Sequence, residues 1–246
     1  PWAALKPPEP CAAPSDDGPP IRPKFPPRQL IAESIKSLSC LAVARPILQK
    51  QGVIATLKAI LIGSKRAQTT NACAIALCNM GQLHGCRKEM LSLGVIKLLS
   101  RLLKVGTLET KRLCTLCLCT LSSQKDLRTA MLKEGALRTI GALVADGEDE
   151  TLTRQGARAL LNFAFDPVTR EDILHEGALP ALMALLRVDD DMTRYDGLCA
   201  LCNLLADRAT HRQVIEAGVI DALAPIMEQV ALYPLLSYAY LNISHH

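Results

Sequence analysis

The side chains in this chain that first invite a chemical reading are its ten cysteines. Cys114, Cys117 and Cys119 form a C-x-x-C-x-C cluster, and Cys199 with Cys202 makes a C-x-x-C pair. Such spacings can hold zinc or carry thiol–disulfide exchange. Beside them the inventory is short. The five histidines, His84, His175, His211, His245 and His246, build no H-E-x-x-H, and the sequence has no phosphate loop and no Ser-His-Asp set. The acidic runs ADGEDE (145–150) and RVDDD (187–191) lack the alternating ligands and glycine of a calcium loop. Asn242-Ile-Ser is a glycosylation sequon only in form, because the stretch reads as helix. Whether the cysteines converge depends on the elements that carry them.

Those elements repeat. EGALPALMALL from Glu176 has four counterparts: QGVIATLKAIL from Gln51, LGVIKLLSRLL from Leu93, EGALRTIGALV from Glu134 and AGVIDALAPIM from Ala217. Their glycines, Gly52, Gly94, Gly135, Gly177 and Gly218, recur at an interval that never varies by more than one position. A fixed period of about 40–47 residues, built from two or three helices per unit, marks a helical solenoid. Counting from each glycine, positions +2, +5 and +9 are apolar throughout: Ile54, Leu57, Leu61; Ile96, Leu99, Leu103; Leu137, Ile140, Val144; Leu179, Leu182, Leu186; Ile220, Leu223, Met227. That is one buried helical stripe following a tight bend that glycine suits by accepting positive φ. A short helix precedes each glycine, as in QKDLRTAMLKEG, and Asp166-Pro167 starts one of these as N-cap and first turn. A polar loop and a long third helix complete the unit, for example Thr151–Phe165 and Met192–Ala206. Ahead of the first full unit, Ile31, Ile35, Leu38 and Leu41 predict one further helix from Gln29, ended by Pro46.

The register answers the cysteine question. Cys78, Cys119 and Cys202 share a column with Leu161 and Leu241; Cys73 and Cys114 with Gly156 and Gly197; Cys117 with Ala76, Ala159, Ala200 and Ala239. These are expected to be small buried positions of the third helix, where a free thiol acts as a compact hydrophobe. No metal or other cofactor is expected, and unpaired thiols fit a reducing, cytoplasmic setting. Cys199 alone is expected to be exposed and reactive.

Composition narrows the rest. Aromatic residues make up 3% of the chain, too few for the stacking platforms of single-stranded nucleic-acid binders. No run of 18 apolar residues is present to span a membrane. The chain begins at Pro1 without a signal peptide and reads as a fragment or trimmed product. Residues 1–28 read as a proline-rich extended arm, with Trp2, Ile21 and Phe25 as its docking candidates, and residues 29–246 as the repeat domain. Residues 1–123 carry 17 Lys and Arg against 6 Asp and Glu, whereas residues 124–246 carry 11 against 18. One end of the array is therefore basic and the other acidic, as for two partners of opposite charge or for contact with neighbouring subunits.

Over residues 29–246 the sequence resembles the armadillo-repeat family, that of β-catenin and importin-α. The resemblance lies in the Gly-Ala/Val-Leu/Ile opening of the second helix and in third helices reading ALCNMG, ALLNFA, ALCNLLA and YLNIS. The two-helix HEAT unit lacks both features. The resemblance implies an all-α fold, a right-handed armadillo-type α-solenoid of about five three-helix repeats plus a leading partial repeat. It also implies that third helices line a concave groove in which one asparagine per repeat grips an extended peptide. An amide suits that task, being both donor and acceptor.

Fifteen residues before the marking glycines stand Ser37, Asn79, Thr120, Asn162 and Asn203, and Asn242 takes the same place in the last unit. The ladder is thus interrupted at Ser37 and Thr120, and the amides could instead cross-link helices. One turn earlier, where importin-α-like proteins place tryptophans, stand Ile75, Leu116, Arg158, Cys199 and Tyr238, which argues against nuclear-import cargo. Two turns earlier come Asn71, Arg112, Arg154, Tyr195 and Pro234. Arg112, Arg154 and Arg158 would form a basic strip suited to carboxylates, nearer to the β-catenin pattern, unless they bridge acidic residues of adjoining repeats. The expected function is a non-enzymatic scaffold that binds an extended, acidic peptide or a neighbouring subunit, with Asn79, Asn162, Asn203, Asn242, Arg112, Arg154, Arg158, Tyr195 and Tyr238 as its binding residues. The alternative is a structural component of a cytoskeletal or axonemal (ciliary) assembly. Neither nucleic acid nor a membrane span is expected.

Overall fold

The computed structural model describes residues 26–226 and 233–244. Among them every regular element is a helix. The expected arm lies almost wholly outside the described residues. The first helix, α1 (Pro27–Ser39), starts two residues earlier than expected, because proline's fixed φ suits a first turn. It ends at Ser39, and Pro46, expected to stop it, lies in the first turn of the next helix instead.

Five triplets follow α1. They are α2 (Arg45–Lys50), α3 (Val53–Gly63) and α4 (Ala67–Met80); α5 (His84–Ser92), α6 (Val95–Val105) and α7 (Leu108–Ser122); α8 (Lys125–Lys133), α9 (Ala136–Asp146) and α10 (Glu150–Phe165). Then come α11 (Arg170–His175), α12 (Leu179–Leu185) and α13 (Asp191–Leu205), and finally α14 (His211–Glu216), α15 (Val219–Leu223) and α16 (Tyr233–Ser244). A 3₁₀ turn at Pro167–Thr169, capped by Asp166, leads into α11 as the Asp-Pro pair predicts.

All five marking glycines are left-handed, with φ between 66° and 87°. A Cβ at Gly52, Gly94, Gly135 or Gly177 would meet no atom within 4 Å. The requirement for glycine there is one of backbone conformation, not of space. Beyond each bend the predicted stripe is buried, except in the last unit, where Ile220 is 42% exposed. There α15 tightens after five residues into a 3₁₀ turn at Ala224–Ile226 around Pro225, while Val219 stays buried like its counterparts Val53, Val95, Ala136 and Ala178. Met227 lies outside the described residues.

The third helices stack in sequence, α1 on α4, α4 on α7, α7 on α10, α10 on α13 and α13 on α16. Small side chains allow the close approach: Ala76, Cys117, Ala159, Ala200 and Ala239 are wholly buried. So are Cys73 and Cys114, and a Cβ at Gly197, in their column, would lie 2.7 Å from Leu185 Cβ. Cys78 and Cys119 depart from the expectation. They are only half-buried, whereas Cys202 in the same column is buried. Among the described residues no group of three or more His, Cys, Asp or Glu could hold a metal ion.

An arginine column joins the repeats. Arg45, Arg87, Arg128 and Arg170 recur in the first helices with the same period as the marking glycines. Arg45, Arg128 and Arg170 each donate from Nε at 2.8 Å to a carbonyl at the end of the preceding third helix, Ser39, Ser122 and Ala164 respectively. Such carbonyls have no partner within their own helix. In the last repeat His211 Nδ1 takes this role, 2.7 Å from the Leu205 carbonyl. The guanidinium groups also reach forward: Arg87 to Asp126 (3.9 Å), Arg128 to Asp166 (3.3 Å) and Arg170 to Asp207 (3.0 Å). Arg128 and Arg170 thereby tie their own repeats to both neighbours.

Candidate functional site

The amide column follows the seam between successive third helices. Asn79 on α4 donates from Nδ2 to Ser39 Oγ at 3.1 Å, at the end of α1. Asn162 on α10 donates in the same way to Ser122 Oγ of α7 at 2.9 Å. Asn242 on α16 reaches the Cys202 carbonyl of α13 at 3.4 Å. Since each side chain meets the helix before its own, the amides share one side of the wall. Asn203 on α13 is half-buried and has no side-chain hydrogen bond among the described residues. The difference lies beneath it, where Ala164 occupies the place taken by Ser39 and Ser122 elsewhere. Cross-linking and ligand contact are compatible, because the bonded amides keep Oδ1 as an acceptor and Asn162 keeps a second N–H.

The arginines are engaged along the wall. Arg112 holds Asp149 through two bonds, Nε to Oδ1 at 3.1 Å and Nη2 to Oδ2 at 2.6 Å. Arg154 does the same to Asp190, both at 3.2 Å, and also reaches Glu150 at 2.6 Å. Arg158 Nε lies 2.8 Å from Asp196 Oδ2. Asp149 and Asp190 double as N-caps of α10 and α13. The Arg112 guanidinium holds the Asp149 carboxyl below the usual range. Thr193, and after it Arg154, does so for Asp190. Asp196, by contrast, is pushed up by burial, with Arg158 opposing. In place of a free basic strip, the wall carries a ladder of guanidinium–carboxylate pairs between consecutive repeats.

Tyr195 and Tyr238 are 44% and 46% exposed. Leu116 (40%), Met192 (56%) and Leu241 (51%) stand exposed beside the same column, so the open side is partly apolar. Leu116 is one turn before Thr120, and Met192 is three turns before Asn203. Cys199, expected to be the reactive thiol, is half-buried with its pKa pushed up by burial. Cys78 moves the other way, down to about 6, because hydrogen bonds with Cys117 and then Thr120, and the positive charge of Arg45, favour its thiolate. The sequence reading missed the serines under the amides and Cys78, and it held the carboxylates opposite the arginines only as an alternative. A signal for the carboxylates was present: Arg112, Arg128, Arg138, Arg154, Arg158 and Arg170 are each followed, a little less than one repeat later, by an Asp or Glu.

The architecture and the wall together define a class, an all-helical solenoid of three-helix units. No family model matches the sequence, and none of the curated proteins does. Solved structures do. An engineered protein superposes with a TM-score of 0.76 at 22% identity, over 89% of this chain and 93% of its own. A designed armadillo repeat protein in complex with the peptide (KR)4 gives 0.76 at 17% identity, over 87% and 91%. Computationally designed armadillo repeat proteins for modular peptide recognition give 0.78 at 17%, over 87% and 92%. The chain folds as an armadillo-like solenoid. No helix among the described residues is long and apolar enough to cross a membrane.

Proposed function

We propose that this chain is a non-enzymatic scaffold that holds an extended polypeptide along its stacked third helices. The observation that carries the reading is the amide column, Asn79, Asn162, Asn203 and Asn242, on one side of the wall beside exposed Tyr195, Tyr238, Leu116 and Met192. Packed helices lie roughly 8–10 Å apart and an extended strand rises about 3.3 Å per residue, so each repeat can address two or three ligand residues. The designed armadillo proteins that superpose on this chain, one of them holding a peptide, support the same use. An acidic ligand was the expectation from Arg112, Arg154 and Arg158. Since all three already face carboxylates, the geometry favours a ligand that is partly apolar and close to neutral where it crosses α10 and α13.

Selection from a random peptide library against the protein tests the reading. The triple variant Asn79→Ala, Asn162→Ala, Asn203→Ala should lose the selected peptides while keeping its helical circular dichroism. Undiminished capture by that variant would refute peptide binding by the wall.

A second reading, a subunit of a larger cytoskeletal or axonemal assembly, is favoured by the segregation of charge. Exposed Lys65, Arg66 and Lys104 follow or end the second helices of the first two repeats, whereas Asp146, Glu148, Asp189 and Asp191 hold the equivalent places later. The nine free cysteines among the described residues support a reducing compartment, and with it a cytoplasmic setting.

A further inference from the structure

Where α7, α10 and α13 meet, the wall opens into a cleft of about 420 Å³ lined by Cys119, Arg154, Gln155, Arg158, Asp190, Met192 and Asp196. Most of its polar atoms are engaged. Asp190 accepts from the Thr193 N–H at 3.0 Å, from the Thr193 hydroxyl, and from Arg154 Nε and Nη2, both at 3.2 Å. Two acceptors are left over. Asp196 is 2% exposed, and its Oδ1 has no hydrogen-bond partner while Oδ2 faces Arg158. Gln155 Oε1 is likewise buried without a donor. Such atoms are costly to leave unpaired. Arg158 lines the same cleft, with a half-exposed side chain whose terminal N–H groups have no acceptor among the described residues.

We propose that this cleft is a subsite for a carboxamide side chain, that of an asparagine or glutamine in the peptide held along the wall. The inference rests on the peptide reading above and names what the wall selects. A carboxamide N–H₂ supplies donors for Asp196 Oδ1 and Gln155 Oε1, and its carbonyl accepts from Arg158. Met192 packs against the methylene stem. Charge decides against the other candidates. The lining holds two guanidinium groups and two carboxylates, so an ammonium would sit beside Arg154 and Arg158, and a carboxylate beside Asp190 and Asp196. A neutral group with both donors and an acceptor meets no like charge.

The test uses the library-selected peptides on the intact protein, with binding measured by fluorescence anisotropy. One peptide position should favour Asn or Gln, and replacing that residue by Met should weaken binding roughly ten- to hundredfold. Gln155→Leu and, separately, the isosteric Asp196→Asn should abolish the preference while the peptide's remaining residues still bind. Two variants are used because Asp196 is buried, and Gln155→Leu leaves its ion pair with Arg158 intact. Selection of Lys, Arg, Asp or Glu at that position, or no preference, overturns the carboxamide subsite and leaves peptide binding standing. Failure to select any peptide overturns both.

Discussion

Arg128 offers the sharpest test of what holds the array together. Its guanidinium is buried (the residue is 7% exposed), lies 3.3 Å from the Asp166 carboxylate (5% exposed) and donates to the Ser122 carbonyl at 2.8 Å. Arg128→Met keeps much of the aliphatic stem and removes every one of these contacts. It leaves the Asp166 carboxylate buried with only the Val168 N–H, at 3.3 Å, still donating to it. Breaking a buried pair from one side costs about 3–5 kcal/mol, most of it the uncompensated charge. Removing both charges, as in Arg128→Met with Asp166→Asn, should restore the greater part. Solenoid stability resides in nearest-neighbour interfaces, so the loss should be local. Amide hydrogen exchange read by mass spectrometry resolves it. Peptides from α7 to α11 should exchange roughly 10²- to 10⁴-fold faster in the single variant, since about 1.36 kcal/mol is a factor of ten. Equal exchange in the single and double variants, or acceleration spread evenly from α1 to α16, would refute the argument that this pair ties the central repeats.

Two further outcomes are expected. Gly135→Ala places a methyl in open space at φ 72°, so its whole cost is the left-handed backbone, about 1–2 kcal/mol, readable as a fall in the urea midpoint; an unchanged midpoint would dismiss the bend as the reason for glycine. Cys78 should be alkylated by iodoacetamide with a rate that rises through about pH 6, because donors and a nearby cation favour its thiolate over the thiol. Thr120→Val should shift that midpoint upward, while Cys73, pushed up to about 12 by burial, stays unreactive across the range. A Cys78 midpoint near the ordinary thiol value would remove the assignment.

The fold was legible because its signals are local and repeated. Each glycine marks a left-handed bend and each following stripe is a buried helix face, with Ile220 deviating where Pro225 shortens its helix. The site was legible only by column. Position along a third helix assigned Asn162 and Arg154 each to a column. What they touch was not readable from it, because the partner belongs to the adjacent unit. Arg154 reads either as a free cation or as a bridge to the adjoining repeat, and Asp190 from the next repeat decides for the bridge. Cys78 reads as a filler until Thr120 and Cys117 of the next repeat close on its sulfur. Asp196 has no column signature, since its counterpart one repeat earlier is Gln155; its spacing from Arg158 and the depth of its burial mark it.

The serine beneath some amides and its absence beneath Asn203 set different entropic terms for a ligand at different rungs. Asn79 and Asn162 are already fixed by Ser39 and Ser122, so a bound chain meets oriented groups there and gives up little rotamer freedom on docking. With Ala164 below it, Asn203 is free to turn, and a ligand must arrest it. The wall is therefore stiff at Asn79 and Asn162 and adaptable at Asn203, which would let one register of contacts be strict while another tolerates variation in sequence.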